Sequence, residues 1–129
     1  MSEADPLAEA RTHLARAEAA PWSEAGRFHT DEGLFLLEAS AVPAAAQLGA
    51  TYVLRMLERL QSALAGDGPE PELKWMLKLL QTLEASPFGD AARLETVRVM
   101  VAERLLDRYF AAYSKAEREQ AISSILGQI

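Results

Sequence analysis

The stretch PAAAQLGATYVLRMLERLQSALA, residues 43–65, decides the fold class. Ala45, Leu48, Gly49, Tyr52, Val53, Met56, Leu57, Leu60 and Leu64 recur at three- and four-residue steps, the spacing that lines up one face of a helix. Pro43 suits a first helical position, where its missing N–H is not needed. The first half, Ala44 to Leu54, is apolar nearly all round, which predicts a central helix. The second half carries a polar side of Arg55, Glu58, Arg59, Gln61 and Ser62. Ala45 and Gly49 lie one turn apart, small enough for another element to approach closely.

Working outward, the C-terminal side continues the pattern. Gly66-Asp67-Gly68-Pro69-Glu70-Pro71 reads as a loop. A helix is expected from about Pro71 to Ala85, with Leu73, Met76, Leu77, Leu80 and Leu83 inward and Trp75 and Leu79 widening that face. Ser86-Pro87-Phe88-Gly89 breaks it. Asp90 is placed to cap a helix from about Ala91 to Tyr113, with Leu94, Val97, Val101, Leu105, Leu106, Tyr109 and Phe110 inward. Ser114-Lys115-Ala116-Glu117 fits the reciprocal capping box. The last helix, from Lys115 to about Leu126, shows Ala121, Ile122, Ile125, Leu126 and Ile129 on one side.

On the N-terminal side, Asp5-Pro6 predicts a helix start. Leu7, Ala10, Leu14 and Ala17 then make a narrow stripe up to Pro21. So thin a face predicts a peripheral, partly mobile helix. Residues 21–30 read as a connector, with Trp22 and Phe28 tucked against the helices. A short helix follows from about Asp31 to Ser40.

The residue inventory agrees with helices throughout. Ala and Leu, which lose little side-chain freedom in a helix, dominate the apolar residues, and no sustained strand-like alternation occurs. At 129 residues with half of them hydrophobic, the chain fits a single domain. The expectation is an all-α, compact antiparallel bundle of four to five helices over 1–129. Residues 1–30 would supply the peripheral helix and connector, and 31–129 the core bundle.

The same inventory narrows the chemistry. The chain has no cysteine, which removes thiolate catalysis, disulfides and Cys-ligated metals. The acidic opening residues are not followed by an apolar run, and no segment approaches the roughly 18 apolar residues of a membrane span. A cytoplasmic location without membrane contact is therefore expected. Net charge is −6, which disfavours nucleic acid as a partner. The charge is uneven: residues 1–40 hold eight acids and three bases, residues 91–129 five acids and six bases.

Candidate sites are few. The two histidines are His13 and His29. Glu9 stands one turn before His13, but a catalytic zinc needs about three protein ligands and the Glu-x-x-His signature of di-iron bundles is missing. No metal or cofactor is expected. Serines sit at helix ends or polar faces, outside any nucleophile elbow. The carboxylates Asp31 and Glu32 are explained by the dipole of a first helical turn. Gly66-Asp67-Gly68 lacks the lysine and further glycine of a phosphate loop. Arg93, Arg104 and Lys115 recur at eleven-residue intervals with Arg108 one turn from Arg104, a basic stripe interrupted by Glu103 and Asp107.

The surplus is apolar. Leu54, Trp75, Leu79 and the C-terminal isoleucines lie beside or beyond the main inward stripes. Several such side chains left exposed would favour association. The expected function is a non-catalytic interaction protein (accessory subunit, adaptor, chaperone or inhibitor) with a protein partner or a homodimer contact at Trp75, Leu79, Ile122, Ile125, Leu126 and Ile129. The alternative is a small-molecule-binding or sensing domain with a pocket at Tyr52, Met56, Tyr109 and Phe110. An enzyme relying on carboxylates is a third class.

Overall fold

The structure, a computed structural model, describes residues 5, 7–66, 68–109 and 114–128. Over these residues the chain is all-helical, with six helices: α1 (Ala8–Ala19), α2 (Glu24–Ala39), α3 (Pro43–Leu64), α4 (Leu73–Ala85), α5 (Ala91–Tyr109) and α6 (Lys115–Leu126). The count exceeds the expected four to five.

The difference lies at residues 21–30. Instead of a connector, α2 begins at Glu24, and Ser23 caps it by accepting a hydrogen bond from the Gly26 amide at 3.0 Å. The Ser23 hydroxyl also donates to the Ala20 carbonyl at 2.7 Å, closing the turn from α1. Gly26 reads as a breaker in sequence, yet here its missing side chain is what lets the turn close. A Cβ at this position would sit 2.1 Å from the Ala20 oxygen. α1 starts later than the expected Asp5-Pro6, at Ala8 after Leu7, with Asp5 Oδ1 accepting from the Leu7 amide at 2.9 Å just before it. Its stripe of Leu7, Ala10, Leu14 and Ala17 is buried, and α2 is its main packing partner.

α3 is the central element. Tyr52, Val53, Met56, Leu57 and Leu60 are each at most 1 % exposed, and α2, α4 and α5 all pack against it. The small-residue step at Ala45 and Gly49 is used, though by a loop: the Phe88 ring, from the α4–α5 connection, occupies the space where a Gly49 Cβ would lie, 2.6 Å away. The inward stripes of α4 (Leu73, Met76, Leu80, Leu83) and α5 (Val97, Val101, Leu106) complete the core. Leu79, read from sequence as beside the stripe, is 2 % exposed and belongs to the core as well.

Helix ends are met from across the fold. An α-helix leaves its last carbonyls without intrahelical partners, and a cation there also opposes the negative end of the dipole. Arg59 of α3 donates to the Glu18 carbonyl near the end of α1 at 2.6 Å. Arg104 of α5 donates to the Leu64 carbonyl of α3 at 2.5 Å. Arg98 of α5 donates to the Leu126 carbonyl of α6. α6 has the capping box that its sequence predicts: Ser114 accepts from the Glu117 amide and the Glu117 carboxylate accepts from the Ser114 amide. That bonding holds the Glu117 carboxyl below its ordinary value.

One polar pair lies inside the core. Thr30, 1 % exposed, and the Tyr52 hydroxyl are 2.7 Å apart, fastening α2 to α3. Burial pushes the Tyr52 phenol up to about 12, against the opposing effect of the Thr30 bond. Removing one hydroxyl strands the other, so Thr30→Val or Tyr52→Phe alone should each cost about 1–3 kcal/mol. The double variant should lose less than the sum of the two, measured by urea unfolding. Because the folded value is raised, the stability this phenol contributes is intact below pH 10 and is lost as pH rises towards 12. An alkaline titration at 295 nm should therefore show a late tyrosinate component that Tyr52→Phe removes.

Candidate functional site

The residues singled out from the sequence do not come together as one site. Tyr52 and Met56 are fully buried in the core, with no exposed surface to line a pocket. The Tyr109 side chain and Phe110 lie outside the described residues, as does Ile129. On the expected interface, Leu79 is buried, while Ile122, Ile125 and Leu126 are half-buried on α6, which packs on α5. Trp75 is half-buried, and its ring is flanked by the Lys74 and Lys78 ammonium groups at 4.9 and 5.1 Å. Two cations over the indole make it a poor bare apolar anchor.

The basic stripe is dismantled by its own contacts. Arg104 holds the Leu64 carbonyl and pairs with Glu70 at 2.7 Å. Arg93 donates to the Gln61 side chain at 3.2 Å. Lys115 lies on α6, beyond the cap that interrupts the helix at Ser114. Arg108 is exposed in the last turn of α5, where it favours the helix dipole.

A cavity of about 580 Å³ lies between the end of α1, the polar side of α3 and the following loop, with Glu18, Trp22, Arg55, Arg59, Pro69 and Pro71 among its walls. Its cations are already engaged. Arg55 pairs with the Glu18 carboxylate at 2.6 Å, and Arg59 takes the Glu18 carbonyl. A ligand here would have to displace those bonds.

The outer face of α2 is different. Phe28 is 53 % exposed and Phe35 is 64 % exposed, although the sequence reading had Phe28 tucked inward. Seven residues are close to two helical turns, so both rings stand on one side of α2. Glu24, Asp31 and Glu38 are exposed on the same side, one turn before, between and after the two rings. α2 as a whole carries Glu24, Asp31, Glu32 and Glu38 against Arg27. Beside Phe35 a shallow groove of about 140 Å³ runs between α2 and α4, lined by Asp31, Leu34, Phe35, Glu38, Thr82 and Ala85. A helical wheel of 24–39 would have revealed this stripe. Starting the helix at Asp31 split it and hid Phe28.

The same hairpin joins the two histidines. His13 Nδ1 and His29 Nδ1 face each other at 2.9 Å, and both rings are half-buried. The Phe28 ring meets His13 and His29 edge-on at centroid distances of 6.1 and 5.2 Å. The sequence reading paired His13 with Glu9. Among the described residues no set of three or more His, Cys, Asp or Glu side chains converges as a metal centre.

No protein family, curated protein or solved structure matches the chain. Among the described residues no helix is long and apolar enough to cross a membrane.

A second charged cluster lies where α4 meets α5. Arg98 reaches Glu84 at 3.5 Å and Glu95 at 3.3 Å. Glu84 Oε1 is buried without a hydrogen-bond partner. Burial pushes the Glu84 carboxyl above its ordinary value, with Arg98 opposing the shift. A raised folded-state value favours folding below the unfolded one and loses that contribution as pH rises through it. Glu84→Gln should therefore gain stability relative to the parent chain between pH 4 and pH 7. Urea midpoints of both proteins at the two pH values measure it, and a parallel pH dependence would refute it.

Proposed function

We propose that the chain is a non-catalytic interaction module that docks a basic, amphipathic helix of another protein along the outer face of α2. The observation that carries this reading is the pair of exposed rings, Phe28 and Phe35, at two-turn spacing within an acidic frame. Fully burying a phenylalanine is worth roughly 1.5–3 kcal/mol, and more than half of each residue's surface is still open. Helix-in-groove recognition uses this kind of periodic anchor. Glu24, Asp31 and Glu38 would meet lysines or arginines flanking the partner's apolar residues, adding association rate and choice of partner more than affinity.

On this reading the six helices form a compact antiparallel bundle working in the cytoplasm as an adaptor, accessory subunit, chaperone or inhibitor. The docking face shifts from the last helix to α2. A second copy is a poor occupant, because a two-fold contact between α2 faces would set Asp31 and Glu38 against carboxylates of the same kind. The inventory also favours binding over catalysis: no cysteine is present, and the two histidines are engaged with each other.

The test uses a fluorescent helical peptide with leucines seven residues apart and lysines or arginines around them, alongside its charge-reversed counterpart. Anisotropy should report binding of the basic peptide that weakens as salt rises through the physiological range. Phe28→Ser combined with Phe35→Ser should reduce it by tenfold or more, about 1.4 kcal/mol. The helical content of that variant should match the parent, since neither ring is in the core. Equal binding of both peptides, or binding indifferent to the substitutions, would overturn the reading. Light scattering completes the test: a dimer dissolved by the same substitutions would replace the foreign helix with a second copy.

A further inference from the structure

The α1–α2 hairpin places the chain's two imidazoles in a fixed relation that packing alone does not require. Their Nδ1 atoms face each other at 2.9 Å, with ring planes inclined by 35°. A gap of that size holds one hydrogen, so with both rings neutral at least one nitrogen presents its lone pair to the other. The backbone on either side is held firmly. Ser23 and Gly26 close the turn, and Leu14 and Ala17 are buried along the α1 seam. Phe28 walls the pair edge-on, and both histidines are partly exposed.

We propose that His13 and His29 form a two-imidazole chelate for a tetragonal divalent transition ion, Cu²⁺ first and Ni²⁺ after it. The spacing, that of a hydrogen bond between the rings, also matches one ion class. Two metal–nitrogen bonds of about 2.0–2.1 Å at a right angle put the nitrogens about 2.9 Å apart, whereas a tetrahedral angle needs about 3.4 Å. Imidazole nitrogen in a tetragonal arrangement suits Cu²⁺ and Ni²⁺. Turning each ring so that its lone pair leaves the Nδ1···Nδ1 line by about 45° brings both onto one point, where water fills the other positions. The ring that donates in the hydrogen-bonded pair passes its proton from Nδ1 to Nε2 through water, so that both rings bind the ion as the Nε2–H tautomer. The site binds α1 to α2, so the ion acts as a staple across the hairpin. It uses neither Phe28 nor Phe35 as a ligand, although the Phe28 ring packs edge-on against both imidazoles.

The chain suits a clean test, since the whole sequence holds two histidines and no cysteine. Cu²⁺ is titrated into the full chain, followed by calorimetry and electron paramagnetic resonance, with His13→Ala, His29→Ala and the double variant alongside. The expected result is one equivalent of Cu²⁺ in an axial spectrum with coupling from two imidazole nitrogens. Each single substitution should weaken binding by at least the roughly 10–100-fold that even supporting residues of metal sites cost. Cu²⁺ should also raise the melting temperature of the parent chain and leave that of the double variant unchanged. His13→Gln and His29→Gln, which keep size and hydrogen bonding at the seam, separate lost ligation from lost packing. Stoichiometric binding that survives in the double variant, a spectrum with a single imidazole, or no binding to the parent chain would each overturn the assignment.

Discussion

Helix α3 must be covered along one broad apolar face, and the other helices are arranged by that demand. Tyr52, Val53, Met56, Leu57 and Leu60 make that face wider than one neighbour covers, so α2, α4 and α5 all pack against α3, while Thr51, Leu54, Arg55 and Glu58 stay exposed on its other side. Each covering helix needs only one apolar stripe to do this, and the stripes of α4 and α5 are correspondingly simple. α2 has more to satisfy. It packs against α1, α3 and α4, spending Gly26, Thr30, Gly33, Leu34 and Leu37 on those contacts. What remains outward is a narrow strip, and that strip holds Phe28 and Phe35. Solubility alone would favour polar residues there, since two large rings in water contribute nothing to folding.

Much of the frame was legible in the residues. The span of α3, the start of α5 after Asp90 and the Ser114 capping box follow from apolar period and local cap chemistry, which are properties of neighbouring residues. The start of α2 was not legible, because Gly26 carries the same letter whether it breaks a helix or permits close approach. Only the position of the Ala20 carbonyl distinguishes the two uses. The surplus at Leu79 was misjudged for a related reason: how wide an inward face is depends on how many helices cover it. The His13–His29 meeting depends on the register of two helices across a turn, and no spacing within either helix encodes that. Arg98, which reaches three partners, gives no motif at all.

The arginines link these points. A bundle made of Ala- and Leu-rich helices has many helix ends and few local caps. α3 and α6 end without a basic residue in the last turn, and in both cases an arginine of α5 supplies the missing cation. α1 receives Arg59 in the same way. These bonds span 28 to 41 residues of sequence, so they fix how helices sit on one another, which the apolar contacts alone leave loose. Glu84 and Glu70 complete the arrangement by holding Arg98 and Arg104 at their ends.

That use of cations also explains the character of the surface. The chain has 13 lysines and arginines against 19 acids, and Arg55, Arg59, Arg93, Arg98 and Arg104 are committed to internal bonds. Trp75 takes up Lys74 and Lys78. α2 itself sets Arg27 against Glu24, Asp31, Glu32 and Glu38, and among the described residues no ion pair reaches these carboxylates around Phe28 and Phe35. On the proposed reading, an apolar stripe framed by one sign of charge would reject its own copy and anionic surfaces and accept cationic helices. The negative character of the α2 face thus accompanies the use of arginines elsewhere to hold the helix ends.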